Sequence, residues 1–309
     1  MSTSMRLVKL SFLAPVHFGD GRLSGSAYAI AADTLFSALF IESLRLGADE
    51  SLLQAARSSD CLLSDAFPYI GDRYYLPRPM LPPHPDAQNA APSDRNAATA
   101  VKAMKQLDTI PSDAFDAYRA GTLDAPQELS RFNPGTDGVQ TKVNLTKPEA
   151  KPYHVGGFTF ADNAGLYFLV QGEYDLTPLL KSLQYSGLGG ERSSGYGRFE
   201  YKVLDPVPAS VLPRSTSADG AHMLLASAAP TDSELSDDLL AGARYRLRRR
   251  GGFVQSTAHA PTLQKKRDFY TFAAGSVFQQ RFAGDVFDVN ATPGAHPVYR
   301  YARAMWLEV

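Results

Sequence analysis

The sequence predicts an α+β chain of two pattern-related units, and three observations predict it. Strand and helix periodicities alternate along the 309 residues. The first two thirds read in the order βα, hairpin, insertions, β, α, Gly-rich loop, β, close to the split βαβ of a ferredoxin-like (RRM-like) domain. A Pro-rich stretch, "LDPVPASVLPRS", then separates a second series of strands and a helix. The length suits two domains of about 150 residues, which we place at 1–205 and 206–309, with insertions near 84–130 and 135–157.

The opening "RLVKLSFLAPVHFG" reads as a strand entering a loop. "ADTLFSALFIESLRLG" reads as a helix with Asp33 as N-cap, Leu35, Phe36, Leu39 and Phe40 inward, and Gly47 as its stop. "FPYIGDRYYLPRP" predicts a hairpin turning at Gly71 and Asp72, and the prolines from Pro77 to Pro85 end regular structure. Residues 84 to 100 carry almost no large apolar side chain and are expected to be a flexible insertion. "VQTKVNLTKPEAKPYHVGG" is polar and basic, a projecting loop or hairpin. "GLYFLVQG" is a strand, and "DLTPLLKSLQYSG" a helix with Thr177 as N-cap, Pro178 at its first position and Gly187 as its stop. "YGRFEYKVL" alternates as a half-buried strand, with Phe199, Tyr201 and Val203 on one face.

In the second unit, "HMLLASAAP" predicts a strand and "TDSELSDDLLAGA" a helix capped around Thr231 to Ser233. "YRLRRR" and "GGFVQST" are expected to pair as strands about Gly251 and Gly252. "DFYTFAAGSVFQQRF" supplies further strand, and "HPVYRYARAMWLEV" closes the chain as one more.

Composition narrows the function classes. No apolar run of about 18 residues is present to span a bilayer, and "MSTSMRLVKLSF" has no signal-peptide pattern. We therefore expect a cytoplasmic protein with no membrane partner. One cysteine, Cys61, cannot form an internal disulfide or a Cys-rich zinc site, and is expected to be a buried core thiol. No His-x-x-x-His pair, paired metal carboxylates or nucleophile elbow is found, so no metal, no cofactor and no catalytic residue is assigned.

The formal net charge is only −1, but charge is unevenly distributed. From Leu239 to Arg267 there are eight cations, including Arg248, Arg249 and Arg250, and no acid. This segment reads either as a nucleic-acid contact or as a solvated edge strand whose basic side chains block unwanted pairing. As a strand it places Arg244, Arg246 and Arg248 on one face and Tyr245 and Leu247 on the other.

"GLGGERSSGYGRFE" holds five of the 24 glycines within eleven positions. It lacks the spacing of a dinucleotide fingerprint and the Gly-Lys-Ser/Thr of a P-loop, and it runs from helix to strand. Glycines of this kind serve positive φ or close approach to the backbone. Consecutive N–H groups there can form an anion-binding nest, with Arg192, Ser193 and Ser194 adding donors; the alternative is a mobile surface loop. Among the six histidines, His17 lies in a loop beside a helix, where a His can act as general acid or base or simply contact RNA. His84, His222, His259 and His296 show no catalytic spacing, and His154 lies in the basic stretch.

Three stretches taken together, "PVHFGDGRLSGSAYAIAADTLFSAL", "SGLGGERSSGYGRFE", and "RRRGGFVQST" with "AAGSVFQQRFAGDVFDVNATPGAHPVYRYARAMWLEV", resemble the RAMP superfamily of CRISPR proteins. The resemblance is to subunit four of the type III-A Csm effector complex. It implies two ferredoxin-like domains, with a Gly-rich loop between the second helix and last strand of the first. It also implies binding of the 5′ tag of CRISPR RNA, and docking to the large palm-domain subunit and to an adjacent RAMP backbone subunit, in a ribonucleoprotein of antiviral defence.

Carried onto matching positions, the resemblance implies RNA contacts from Gly187, Gly189, Gly190, Ser193, Ser194, Gly195 and Gly197, with His17 and Phe18 near the tag. Arg192, Lys142, Arg248, Arg249 and Arg250 complete the expected RNA-binding set. The chain departs from the Arg-rich hairpin of many RAMP backbone subunits, offering Lys142, Asn144 and Lys147 instead. A noncatalytic RNA-anchoring subunit is the leading expectation. The alternatives are a metal-independent CRISPR RNA-processing endoribonuclease and a protein scaffold without RNA contact.

Overall fold

The computed structural model describes residues 4–19, 21–81, 95–144, 150–213, 220–254, 262, 264–291 and 294–309. β1 (Met5–Phe12) is followed by α1 (Ala32–Leu46), α2 (Asp49–Arg57), β2 (Leu62–Leu63), β3 (Phe67–Ile70) and β4 (Arg73–Pro77). Then come α3 (Arg95–Gln106), β5 (Thr109–Pro111), α4 (Phe115–Arg119), α5 (Ala125–Arg131), β6 (Gly135–Asn144), β7 (Lys151–Phe160), β8 (Ala164–Gln171), α6 (Thr177–Ser186) and β9 (Phe199–Leu204). β10 (His222–Leu224), α7 (Asp237–Leu240), β11 (Leu247–Arg250), β12 (Phe269–Phe272), β13 (Val277–Phe278), β14 (Val286–Asp288), β15 (Tyr299–Tyr301) and β16 (Trp306–Glu308) complete the chain.

The result is a mixed α/β fold with antiparallel sheets. The largest sheet has the order β5-β4-β3-β8-β1-β9, with β2 also on β8. β8 is buried along almost its whole length, as its continuous apolar run requires of a strand covered on both faces. Smaller sheets are β13-β10-β16, β11-β12, β14-β15 and the β6-β7 hairpin. The main apolar core joins Leu7, Leu10, Leu35, Phe36, Phe168 and Leu183 with Met223, Tyr301 and Met305, so both halves of the sequence contribute to it. Phe36 of α1 stacks on Tyr301 of β15 at 5.0 Å between ring centres. Cys61 is fully buried, and burial pushes its thiol pKa up to about 12.

Several sequence expectations are corrected. Asp33 is not an N-cap: Ala31 holds that position, and Asp65, from the β2–β3 connection, accepts the Ala32 N–H at 2.8 Å. The local pattern pointed to Asp33 because a distant carboxylate performs the capping. Thr177 is likewise the first helical residue rather than the cap, and Asp175 accepts its N–H at 2.9 Å. The second-unit helix is shorter than expected, Asp237–Leu240, and is capped by Ser236. Upstream of it, Glu234 turns back onto Thr231 and also accepts the N–H groups of Ala283 and Gly284, which holds that stretch as a turn.

Residues 95–100, expected to be flexible, belong to α3, whose Ala103 packs with Leu107, just beyond the helix, against Ala125. The remainder of that expectation, residues 84–94, lies outside the described residues. β11 pairs with β12 rather than with the stretch after Gly252, of which residues 255–260 are outside the described set. The closing segment forms two strands, β15 and β16, in different sheets. Gly47 and Gly187 do end α1 and α6, at φ 67° and 80°.

Candidate nucleic-acid interface

Three segments converge around the Gly-rich loop. After β1, Gly197 N–H donates to the Pro15 carbonyl at 2.8 Å and Gly190 N–H to the His17 carbonyl at 2.9 Å. Across the base of the loop, Leu188 N–H donates to Gly197 O at 2.9 Å. From the β6–β7 hairpin, Gly156 O lies 2.8 Å from His17 Nδ1, and Gly157 lies under the Tyr196 ring. The loop after β1 is tied to the same hairpin by the Val16–Phe158 bridge.

The glycines divide into two kinds. A Cβ at Gly197 would sit 2.1 Å from Leu188 O, and one at Gly187 2.8 Å from Tyr196 O, so both are glycine because the chain packs on itself there. A Cβ at Gly189 would meet His17 O at 2.7 Å and the Phe18 ring at 2.9 Å, and one at Gly190 would meet the His17 ring at 2.8 Å. Gly195 differs: its φ is +87°, yet a Cβ there meets nothing within 4 Å. Gly187, Gly197 and Phe18 are buried beneath the loop, and Phe18 packs edge-on against Phe12.

The outward face runs from Gly189 to Gly195. Glu191 is left-handed at φ 57°, Arg192–Ser194 form a 3-10 turn, and Gly195 is again left-handed. Alternation of left- and right-handed residues turns successive N–H groups to one side, the geometry of a nest. Among the described residues, no acceptor is recorded for the N–H groups of Gly189, Glu191, Arg192 and Ser193. Ser193, Ser194 and Gly195 are exposed, and Arg192 has no carboxylate partner among the described residues. From β6, Lys142 Nζ reaches Glu191 Oε2 at 2.5 Å and Ser194 Oγ at 2.9 Å. The hydrogen bond to the Glu191 carboxylate raises the pKa of Lys142, so the ammonium is held charged.

The His17 ring is held through one of its two nitrogens. Its Nδ1 faces a carbonyl, which can only accept, so Nδ1 carries the proton. No titratable side chain is recorded against its ring among the described residues. Groups of three or more His, Cys, Asp or Glu arranged to hold a metal ion are absent among the described residues. The arrangement brings backbone N–H groups, Arg192, Ser193 and Lys142 to one loop, groups with the chemistry to bind an oxyanion.

The second expected contact, the basic segment, is organised differently. Arg250 turns inward: its guanidinium donates to both oxygens of fully buried Asp33, at 2.9 and 2.5 Å, and to Thr34 Oγ1 at 3.0 Å. Arg300 of β15 donates to the same carboxylate. Burial alone would raise the Asp33 pKa, but Arg250 and Arg300 together hold it below the ordinary carboxylate range. Arg250 is thus a latch between α1 and the C-terminal strands rather than a free cation. Arg248 and Arg249 remain exposed, although Arg249 lies 3.9 Å from Asp268. Beside them stand exposed Tyr245, Leu247 and Tyr270, the last directly across from Arg249.

Sequence reasoning missed Glu191, Tyr196 and the Gly156–Gly157 pair, the parts that join the loop to the hairpin. Their signal was in the sequence only as a second glycine pair ending the basic stretch. Lys147, named with Lys142, lies outside the described residues, as do His84 and His259.

The comparisons with known proteins agree on one family. A family model described as the CRISPR Csm4 C-terminal domain matches residues 217–309. The chain is 39% identical over 298 residues to the CRISPR system Cms protein Csm4 of Mycobacterium tuberculosis (strain ATCC 25618 / H37Rv), covering 94% of this chain and 93% of that protein. It is 32% identical over 295 residues to the Streptococcus thermophilus protein of the same name, covering 95% of each. In fold it is similar to a chain in the crystal structure of a Csm3–Csm4 subcomplex of the type III-A CRISPR-Cas interference complex, with TM-score 0.63, 18% identity and 99% of each chain covered. A chain in the Csm1–Csm4 cassette in complex with cA4 gives TM-score 0.60 at 19% identity, covering 99% of this chain and 98% of that one.

Proposed function

The chain belongs to the Csm4 family of CRISPR proteins, and on that premise we propose that it is a noncatalytic, RNA-anchoring subunit of a type III-A CRISPR interference complex. In this reading the chain consists of two ferredoxin-like RAMP units, 1–205 and 206–309, working in the cytoplasm in antiviral defence. It holds the 5′ tag of CRISPR RNA on the outward face of the Gly loop, through Gly189, Gly190, Arg192, Ser193, Ser194 and Gly195. Lys142 and His17 stand at the margin of that face. Arg248 and Arg249 supply a separate positive surface for RNA. The large palm-domain subunit and a RAMP backbone subunit are its protein partners, by analogy with the Csm1–Csm4 and Csm3–Csm4 assemblies of the structural relatives.

One observation carries the reading. The loop is pinned from beneath by Pro15, His17 and Leu188, while the N–H groups of Glu191, Arg192 and Ser193 have no recorded acceptor among the described residues. Rigid donors with no internal partner suit a phosphodiester, the one oxyanion that recurs along an RNA strand. A ribonuclease would need a second proton-transfer group beside His17, and the site favours binding instead.

The test is crosslinking and retention of CRISPR RNA in the assembled complex with Ser193→Asp, which sets a carboxylate on the exposed edge without altering the packed base. We expect tag crosslinks to this chain to be lost. Undiminished crosslinks would refute RNA anchoring by the loop, and metal-independent cleavage of repeat RNA by the isolated chain in chelator would establish the endoribonuclease.

A further inference from the structure

Lys142 and Glu191 form a pair that RNA binding must rearrange. They come from different elements, the β6 strand and the Gly loop, and their charged atoms lie 2.5 Å apart with Ser194 Oγ 2.9 Å from the same ammonium. Both side chains are largely shielded, 19% and 24% exposed, so the contact is firmer than an open surface pair. The Lys142 ammonium also lies 5.3 Å from the centre of the Tyr196 ring, which fixes its position from a second side. Glu191 occupies a left-handed backbone position, φ 57°, in a loop otherwise supplied with glycine at such places. A non-glycine residue is disfavoured there. A glutamate at this point brings an oxyanion to the edge of a set of unpaired N–H groups.

We propose that Glu191 is an internal stand-in for phosphate: its carboxylate keeps Lys142 in place beside the Gly loop, and an RNA phosphate takes Lys142 over on binding. This rests on the anchoring reading above and adds a selectivity device to it. While Glu191 holds Lys142, an isolated oxyanion gains little, because it must displace a carboxylate already hydrogen-bonded to the best donor. A strand of successive phosphates engages Arg192, Ser193 and the backbone at the same time and displaces it. Glu191 is therefore a specificity residue that weakens binding of all anions and leaves the polyanion favoured.

The experiment uses the full chain with a short single-stranded RNA carrying the tag, and separately inorganic phosphate, across a salt series. E191Q should bind the RNA about tenfold more tightly, the equivalent of one charge-assisted hydrogen bond, while its salt slope stays within about 0.7 of the parent's, because Lys142 meets the same phosphate in both. E191G, which suits the left-handed backbone, should reproduce this and guards against misfolding of E191Q. Both should bind inorganic phosphate measurably where the parent does not. K142M should bind RNA more weakly, and the E191Q/K142M double variant should match K142M alone. If E191Q and E191G bind no tighter, or if their gain survives in the K142M background, the stand-in is overturned. An S193D variant that binds RNA like the parent would instead overturn the anchoring reading, and this inference with it.

Discussion

The Gly loop and the β11–β12 ribbon both look like RNA surfaces in the sequence, and they differ in what the rest of the chain does with them. In the loop, the chain fills the space behind the glycines, so Gly187, Gly189, Gly190 and Gly197 meet their own backbone or His17 and Phe18. What is left on the exposed side is Ser193, Ser194 and Gly195, beside backbone N–H groups with no recorded acceptor among the described residues. In the ribbon, the most basic stretch of the sequence spends Arg250 on a fully buried Asp33, shared with Arg300. Its other cations are engaged more loosely: Arg249 and Lys265 lie 3.9 and 3.6 Å from Asp268, and Arg248 is exposed. Residue type alone does not separate a recognition surface from a structural one; the partner of each group does.

This contrast can be broken most strongly at Asp33. Asp33→Asn should destabilise the protein by about 3–5 kcal/mol, because it leaves two guanidinium groups shielded without their carboxylate, as read by denaturant unfolding. A loss below about 1 kcal/mol would return Arg250 to the pool of RNA-binding cations. The same pair predicts a pH dependence. The folded Asp33 pKa is depressed, so its contribution is fully present above the ordinary carboxylate value of about 4 and is lost as pH falls through the lower folded value. In Asp33→Asn that part of the acid-induced loss should be gone.

Next in size is a pair of glycines. Gly197→Ala places a Cβ 2.1 Å from a backbone carbonyl at φ +76°, and should cost several times the roughly 1–2 kcal/mol expected at Gly195, where only the positive φ opposes it. Equal losses would mean that the base of the loop is not packed as described. Valine at Gly189 would likewise test packing against His17 rather than approach of RNA.

Charge reversal then sharpens the ribbon. Arg250→Glu should unfold or strongly destabilise the chain, whereas Arg248→Glu should leave its melting temperature nearly unchanged. If Arg248 meets one phosphate, the reversal should flatten the salt slope of RNA binding by about 0.7. His17→Ala carries the smallest expected effect. It removes the contact with Gly156 O, should loosen tag binding a few-fold, and should leave the cleavage sites and metal requirement of the assembled complex unaltered.

The long, strongly patterned elements were legible in the sequence. α1 and α6 were read from apolar spacing and the glycines that end them, and β8 from its unbroken apolar run, because these signals are local. The hairpin at Gly71 and Asp72 was legible for the same reason. The capping of α1 was not, since Asp65 supplies it from 33 residues away. The strand partner of β11 was also hidden, because the pairing runs on past Gly251 and Gly252, with Lys266 N–H on Gly252 O and Val254 N–H on Gln264 O, instead of turning at the glycines. In the site, the glycines announced a close approach but not by whom. That answer required seeing Pro15–Phe18 beneath them and the hairpin beside them. Arg248, Arg249 and Arg250 could not be told apart by type, and only the buried carboxylate distinguishes the third.

The central claim is that the outward face of the Gly loop holds RNA backbone while Gly187 and Gly197 at its base serve internal packing. It is tested most directly by the salt dependence of tag RNA binding in the assembled complex, comparing the parent with Ser193→Asp and Arg248→Glu. The account predicts that Ser193→Asp lowers affinity by at least tenfold and flattens the slope by about 0.7 or more, with an unchanged melting temperature and a larger effect than Arg248→Glu. A Ser193→Asp complex that keeps the parental slope and affinity, while Arg248→Glu loses both, would contradict the account and place the RNA on the ribbon instead.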